Sequence, residues 1–179
     1  ERFAAQANGK VLKHSYSIRN GIAKSLAIIG SSHSIFTNTS ANNAELIVQS
    51  IIREVLKNSN WQLWASLDHL LPLLAETSPD EFLIILEKLI WTSSSVFSNL
   101  FEQEGDGITD GIYNSGMLWA LETLAWDEIY LTRVTIILGF LASIDPGGKY
   151  ANRPVNSLTT IFLPWLPQTC APVSKRKVA

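Results

Sequence analysis

From Ile18 to Phe162 the apolar residues recur three and four apart, and nowhere do they alternate with polar ones over a strand's length. The chain is therefore committed to amphipathic helices, with no sheet to pack on. Ile18, Ile22, Leu26 and Ile29, with Ala23 and Ala27 beside them, predict a helix over about 16–29 that stops at Gly30, a residue suited to the left-handed C-terminal position. Beyond a polar stretch, Asn42 or Asn43 can cap a second helix whose inward stripe is expected to be Leu46, Ile47, Ser50, Ile51 and Val55. Asn58, Ser59 and Asn60 end it. A third helix starts at Trp61 and carries Leu63, Trp64, Leu67, Leu70, Leu71 and Leu74. Pro72 lacks an amide and clashes one turn back, so a kink or break is expected near Leu70.

Ser78-Pro79-Asp80-Glu81 is the clearest start signal. Ser78 can accept from the amide three residues on, Glu81 can reach back to the cap amide, and Pro79 occupies the first position, where its missing donor is harmless. Phe82, Ile85, Leu86, Leu89 and Ile90 follow on one side, and residues 92–95 close this helix or open a short one to Phe101. The glycine-rich acidic stretch 102–111 reads as an exposed loop between two halves. After it come Met117, Leu118, Leu121, Leu124 and Ala125. Asp127 then caps a helix that turns Leu131, Val134, Ile137, Leu138 and Leu141 inward, completing a hairpin. The turn at Asp145-Pro146-Gly147-Gly148 stops that helix, and Pro154 starts a last short one through Phe162, ended by Pro164.

The predicted architecture is all-α: one domain over 1–179, with sub-halves at about 1–101 and 112–179, built of antiparallel helical hairpins stacked as a HEAT- or TPR-like α-solenoid without a clean sequence period. A chain of 179 residues can bury about 70% of its unfolded surface and needs no staple. It is 46% hydrophobic and 17% charged, against about a quarter charged in a typical soluble domain, so part of its surface is expected to meet protein. Fourteen basic and sixteen acidic residues leave a net charge of -2, which offers no field for nucleic acid or an anionic membrane; the one basic run is Lys175-Arg176-Lys177. A single cysteine, Cys170, excludes an internal disulfide and a cysteine-based zinc site and fits a reducing cytoplasm. The N-terminal ten residues lack a signal-peptide core and no run reaches the roughly 18 apolar residues of a membrane span, so a cytoplasmic location is expected. The missing initiator Met and the cap-like Ser174 near the end lead to the expectation of a slice of a longer protein.

Motifs for chemistry fail on spacing. His14, His33 and His69 lack the i, i+4 pairing of a helical zinc site, and the acidic loop lacks the ligand spacing of a calcium loop. No G-x-S-x-G elbow occurs around the serines, and the two glycines after Pro146 lack a Walker ending. Trp61, Trp64, Trp91 and Trp165 have no basic groove beside them and are expected to pack rather than stack on bases. No catalytic residue, cofactor or metal is therefore expected. The one constellation of interest joins Trp119, Glu122 and Trp126, which share a helical surface, to Asn152 and Arg153 in the final loop. Glu122 and Arg153 are expected to pair and to clamp residues 152–158 onto the helix that begins near Ser115; a ligand pocket is the alternative.

The strings RNGIAKSLAIIG (19–30), WALETLAW (119–126), DPGG (145–148), NRPVNSL (152–158) and LPWLPQT (163–169) together resemble the helical-repeat regions of large bacterial multidomain proteins, in which an ATPase or other effector module precedes the repeats, some of them linked to phage defence. The resemblance covers most of the chain and implies a sensor or scaffold role with no catalytic residue to transfer. The expectation is a non-enzymatic scaffold or protein-interaction segment that meets flanking helices of its parent or another protein and self-associates when isolated. The alternative is an enzyme or ligand-binding domain with a pocket between helices 115–143 and loop 145–157.

Overall fold

A computed structural model describes residues 13–32, 43–102, 114–148 and 152–163. No strand occurs among them. The helices are α1 (Tyr16–Ser31), α2 (Ala44–Leu56), α3 (Trp61–Leu67), α4 (Leu71–Thr77), α5 (Pro79–Thr92), α6 (Ser95–Glu102), α7 (Ser115–Leu124), α8 (Glu128–Ile144) and α9 (Pro154–Phe162). The expected break falls where Pro72 demands it: α3 ends at Leu67, a 3-10 turn spans Asp68–Leu70, and Pro72 opens α4 in its first turn.

Helix α4 lies between α1 and α7, and α9 follows beside α7; a second row runs α2, α5, α8. Direction within the rows follows from specific contacts. Tyr16, at the start of α1, places its ring 4.9 Å from that of His69, just before α4. At the other end, a Cβ on Gly30 would lie 2.0 Å from the Thr77 carbonyl oxygen. Starts meet and ends meet, so α1 and α4 run parallel. In the second row Asp80 meets Tyr130 and Arg133, Glu87 meets Arg133, and Trp91 packs on Phe140, so α5 and α8 also run parallel. One core cluster, from Ile52 and Leu56 through Trp64, Phe82 and Phe97 to Leu138, Leu141 and Ile161, joins the described parts of both sub-halves.

Two inward faces differ from those the spacing predicts. In α1 only Ala23 and Ala27 are buried, while Ile18 and Ile22 remain more than half exposed. Gly30 also lies within the helix rather than ending it, because α1 continues to Ser31, where Ser32 N–H bonds Ile28 O. The cause is proximity: α1 approaches the α4 backbone so closely at Gly30 that only glycine and alanine fit the contact line. In α2 the buried residues are Ala44, Val48, Ile52 and Leu56, and the predicted stripe of Leu46, Ile47 and Val55 faces out. This helix carries two apolar stripes one residue apart, and periodicity cannot choose between them.

The caps follow the sequence in part. Asp127 Oδ1 accepts from Ile129 N at 2.9 Å and Asn60 Oδ1 from Leu63 N at 2.9 Å. Ser78 makes no side-chain cap, although α5 does begin at Pro79. Glu81, its expected reciprocal partner, turns instead to Arg53 of α2, which binds it in a bidentate fork at 2.8 and 2.7 Å. A charge-assisted fork outweighs one neutral cap amide. The start of α7 is capped from a distance: Asp68 Oδ1 accepts from Gly116 N at 2.7 Å across 48 residues. Of the acidic stretch 102–111, Glu102 ends α6 and the rest falls outside the described residues, as do His33, Trp165, Cys170 and the basic run.

Candidate functional site

The constellation picked out in the sequence spans α7 and the chain between α8 and α9. Trp119 on α7 and Trp126 in the turn just past its end are about half exposed, with Glu122 half-buried between them. Met117, Leu118, Leu121, Leu124 and Ala125 take the buried side of this segment, which leaves the two indoles the outer one. Asn152 donates from Nδ2 to Ser115 Oγ at 3.0 Å, which fixes the final loop to the first residue of α7.

Arg153 is buried, but its carboxylate is Asp145 and not Glu122. Nη1 lies 2.8 Å from Asp145 Oδ1, and both side chains are more than nine-tenths excluded from water. The geometry explains the correction. With Asn152 pinned to Ser115, Glu122 lies two turns further along α7, about 10 Å away at 1.5 Å per residue. Asp145 is only eight residues back, at the end of α8, and the same Oδ1 accepts from Gly147 N at 3.1 Å. Gly147 has a φ of 77°, so this turn needs a residue without a Cβ. Burial pushes the Arg153 guanidinium below its ordinary pKa, although it stays charged at any physiological pH.

Chemically this is a brace. A guanidinium, a carboxylate and an amide hold a turn against two helices. Among the described residues no group of three His, Cys, Asp or Glu side chains could hold a metal ion, and no helix is long and apolar enough to cross a membrane. Neutralising Asp145 removes the charge that Arg153 Nη1 meets, and Asp145→Asn is expected to cost about 2 kcal/mol, less than full removal of a buried partner because the amide oxygen can still accept. Urea denaturation checks it; Glu122→Gln should change the midpoint little.

Three arrangements escape sequence reasoning. The first is the Arg53–Glu81 fork. The Arg53 hydrogen bond holds the Glu81 carboxyl below the usual carboxylate range against the opposing effect of burial. A carboxylate depressed in the folded state stabilises above its unfolded pKa, about 4.3, and the gain disappears as pH falls through the folded value. Wild type should therefore exceed Glu81→Gln in melting temperature at pH 7, and the two should converge on acidification below about pH 4. A gap that stayed constant with pH would contradict the assignment.

The second arrangement is the bridge between α5 and α8. Arg133 donates from Nε to Glu87 at 2.8 Å and from Nη1 to Asp80 at 2.8 Å, with Tyr130 Oη also donating to Asp80. Asp80 and Glu87 are seven apart, hence on one face of α5, and Arg133 is the only cation in α8, so the pairing had a sequence signal once the helices were known to be neighbours. The third is an apolar surface above that bridge. Trp91 is 79% exposed and meets half-buried Phe140 with its ring tilted, at 6.4 Å between ring centres, with Ile136 exposed one turn before Phe140. Ile84 and Ile129 extend it along the same two helices. No family model, curated protein or solved structure matches the chain.

Proposed function

We propose that the chain is a non-enzymatic scaffold, a HEAT- or TPR-like α-solenoid segment that serves a larger bacterial protein in protein interaction or sensing. Two features of the fold support the solenoid. Corresponding helices of successive pairs run parallel, α1 with α4 in one row and α5 with α8 in the other, as stacked repeats require. Helices of neighbouring pairs also pack on one another in both rows, α1 on α4 and α4 on α7 in one, α2 on α5 and α5 on α8 in the other.

The exposed apolar face on the second row carries the functional reading. Trp91, Phe140, Ile136, Ile84 and Ile129 present side chains of the kind that dominate protein interfaces, on rigid helices braced by the Arg133 bridge. The double substitution Trp91→Glu, Ile136→Glu should reduce binding of a hydrophobic dye and self-association seen by light scattering, at unchanged melting temperature, since both residues are exposed. Photo-crosslinkers at these positions in cells should yield discrete protein adducts. Equal dye binding by both forms, no adducts, and turnover of a small substrate by the purified chain would favour the pocket alternative instead.

A further inference from the structure

The outward face of α1 has a different character. Its exposed stripe runs Ile18, Gly21, Ile22, Ser25 and Ile28, at three- and four-residue spacing, with Ile29 half-buried beside it. Ser25 turns its hydroxyl back onto the Gly21 carbonyl at 3.0 Å, so the stripe offers no outward hydroxyl proton. A Cβ on Gly21 would meet nothing within 4 Å. Glycine inside a helix costs roughly 1 kcal/mol relative to alanine, and elsewhere in this molecule that cost has a visible return. Gly30 and Gly116 each let a neighbouring backbone come closer than any Cβ would permit. Gly21 has the same exposed-backbone geometry with no neighbour among the described residues; Gly139 on α8 does too, but without charges around it that specify a partner.

On α1 they do specify one. The helix contains Arg19 and Lys24 and no acidic residue. Among the described residues Arg53, Arg133 and Arg153 all meet carboxylates, whereas Arg19 and Lys24 meet none, and Arg19 Nε is shielded from water without a hydrogen bond there. A second copy of α1 would set these cations against each other. We propose that the outward face of α1 docks an amphipathic helix of a partner protein, its apolar side against Gly21 and Ile22 and its flanks acidic to meet Arg19 and Lys24. The proposal rests on the scaffold reading and names the partner chemistry of one surface of it.

The test uses the whole chain and a fluorescent synthetic amphipathic helical peptide with leucines on one side and glutamates flanking them, against a twin with lysines in place of the glutamates. Anisotropy should show the glutamate peptide binding about tenfold or more tightly than its twin, the scale of like-charge exclusion, with the advantage shrinking as salt rises. Arg19→Gln with Lys24→Gln should erase the discrimination. Gly21→Phe and Ile22→Asp, exposed positions at which circular dichroism should show the helices intact, should each weaken binding about tenfold. Equal binding of the twins, binding untouched by Gly21→Phe, or no peptide binding while the chain sediments with phosphatidylserine vesicles would each overturn the proposal, the last in favour of a membrane surface. Crosslinks from Trp91 that persist in any of these cases would leave the scaffold reading standing.

Discussion

Replacing Gly116 by alanine is expected to cost about 4 kcal/mol, above the usual range for overpacking, because nothing at the site can give way. An added Cβ would lie 1.6 Å from the Asp68 carbonyl oxygen and 2.4 Å from its carbon. Both are backbone atoms of the 3-10 turn that Pro72 forces between α3 and α4, so no side-chain rotation can relieve the clash. Separating α7 from the turn would also stretch the bond from Gly116 N to Asp68 Oδ1, which caps α7 in place of a local residue. Thermal and urea unfolding of Gly116→Ala check the loss. Asp68→Asn supplies the control, since it keeps an acceptor for the amide and should cost far less. A Gly116→Ala protein as stable as wild type would remove the close approach of α4 and α7 from the account.

The second large effect belongs to Trp64. Its side chain is fully buried where α3 meets α5 and α6, with the rings of Phe82 and Phe97 each 6.0 Å away. Its indole N–H donates to Ser59 Oγ at 2.9 Å, itself buried. Truncation removes the ring contacts, leaves a cavity and strands the Ser59 hydroxyl. Trp64→Ala is therefore expected to cost about 5 kcal/mol, the upper end for aromatic deletions. Trp64→Phe should recover most of the packing while losing the hydrogen bond, and Ser59→Ala should cost about 1 kcal/mol. If Trp64→Ala cost no more than Ser59→Ala, α3 and α6 would not form the wall of the core described here.

Local signals made most of the helices legible. Pro72 and Pro79 mark two starts by excluding a backbone donor, Asp127 caps where a short acceptor precedes an apolar run, and the buried side of α7 and α8 is legible because one stripe on each is plainly wider than the rest. What failed is tertiary in origin. The inward face of α1 is set by how near α4 lies, which turns alanine and glycine into the contact residues and leaves the isoleucines outside. The capping box at Ser78 lost Glu81 to an arginine 28 residues away, and Arg153 found Asp145 at the end of its own turn before it could reach α7. In the final loop Asn152 meets Ser115 and Arg153 meets Asp145, pairings that depend on which helix ends come together. The apolar surface at Trp91 was invisible for the same reason: spacing alone assigns a tryptophan to the core.

Helix α1 runs parallel to α4 and presses on its last residue at Thr77, while α7 begins against the 3-10 turn that precedes α4, at Asp68. Nuclear Overhauser contacts on the isotope-labelled chain test this most directly. The account predicts cross-peaks from the Tyr16 ring to His69, from the Gly30 α-protons to Thr77, and from the Gly116 α-protons to Asp68, all in the same sample. Contacts from Tyr16 to Thr77 and from Gly30 to His69 would reverse α1 and contradict the stack.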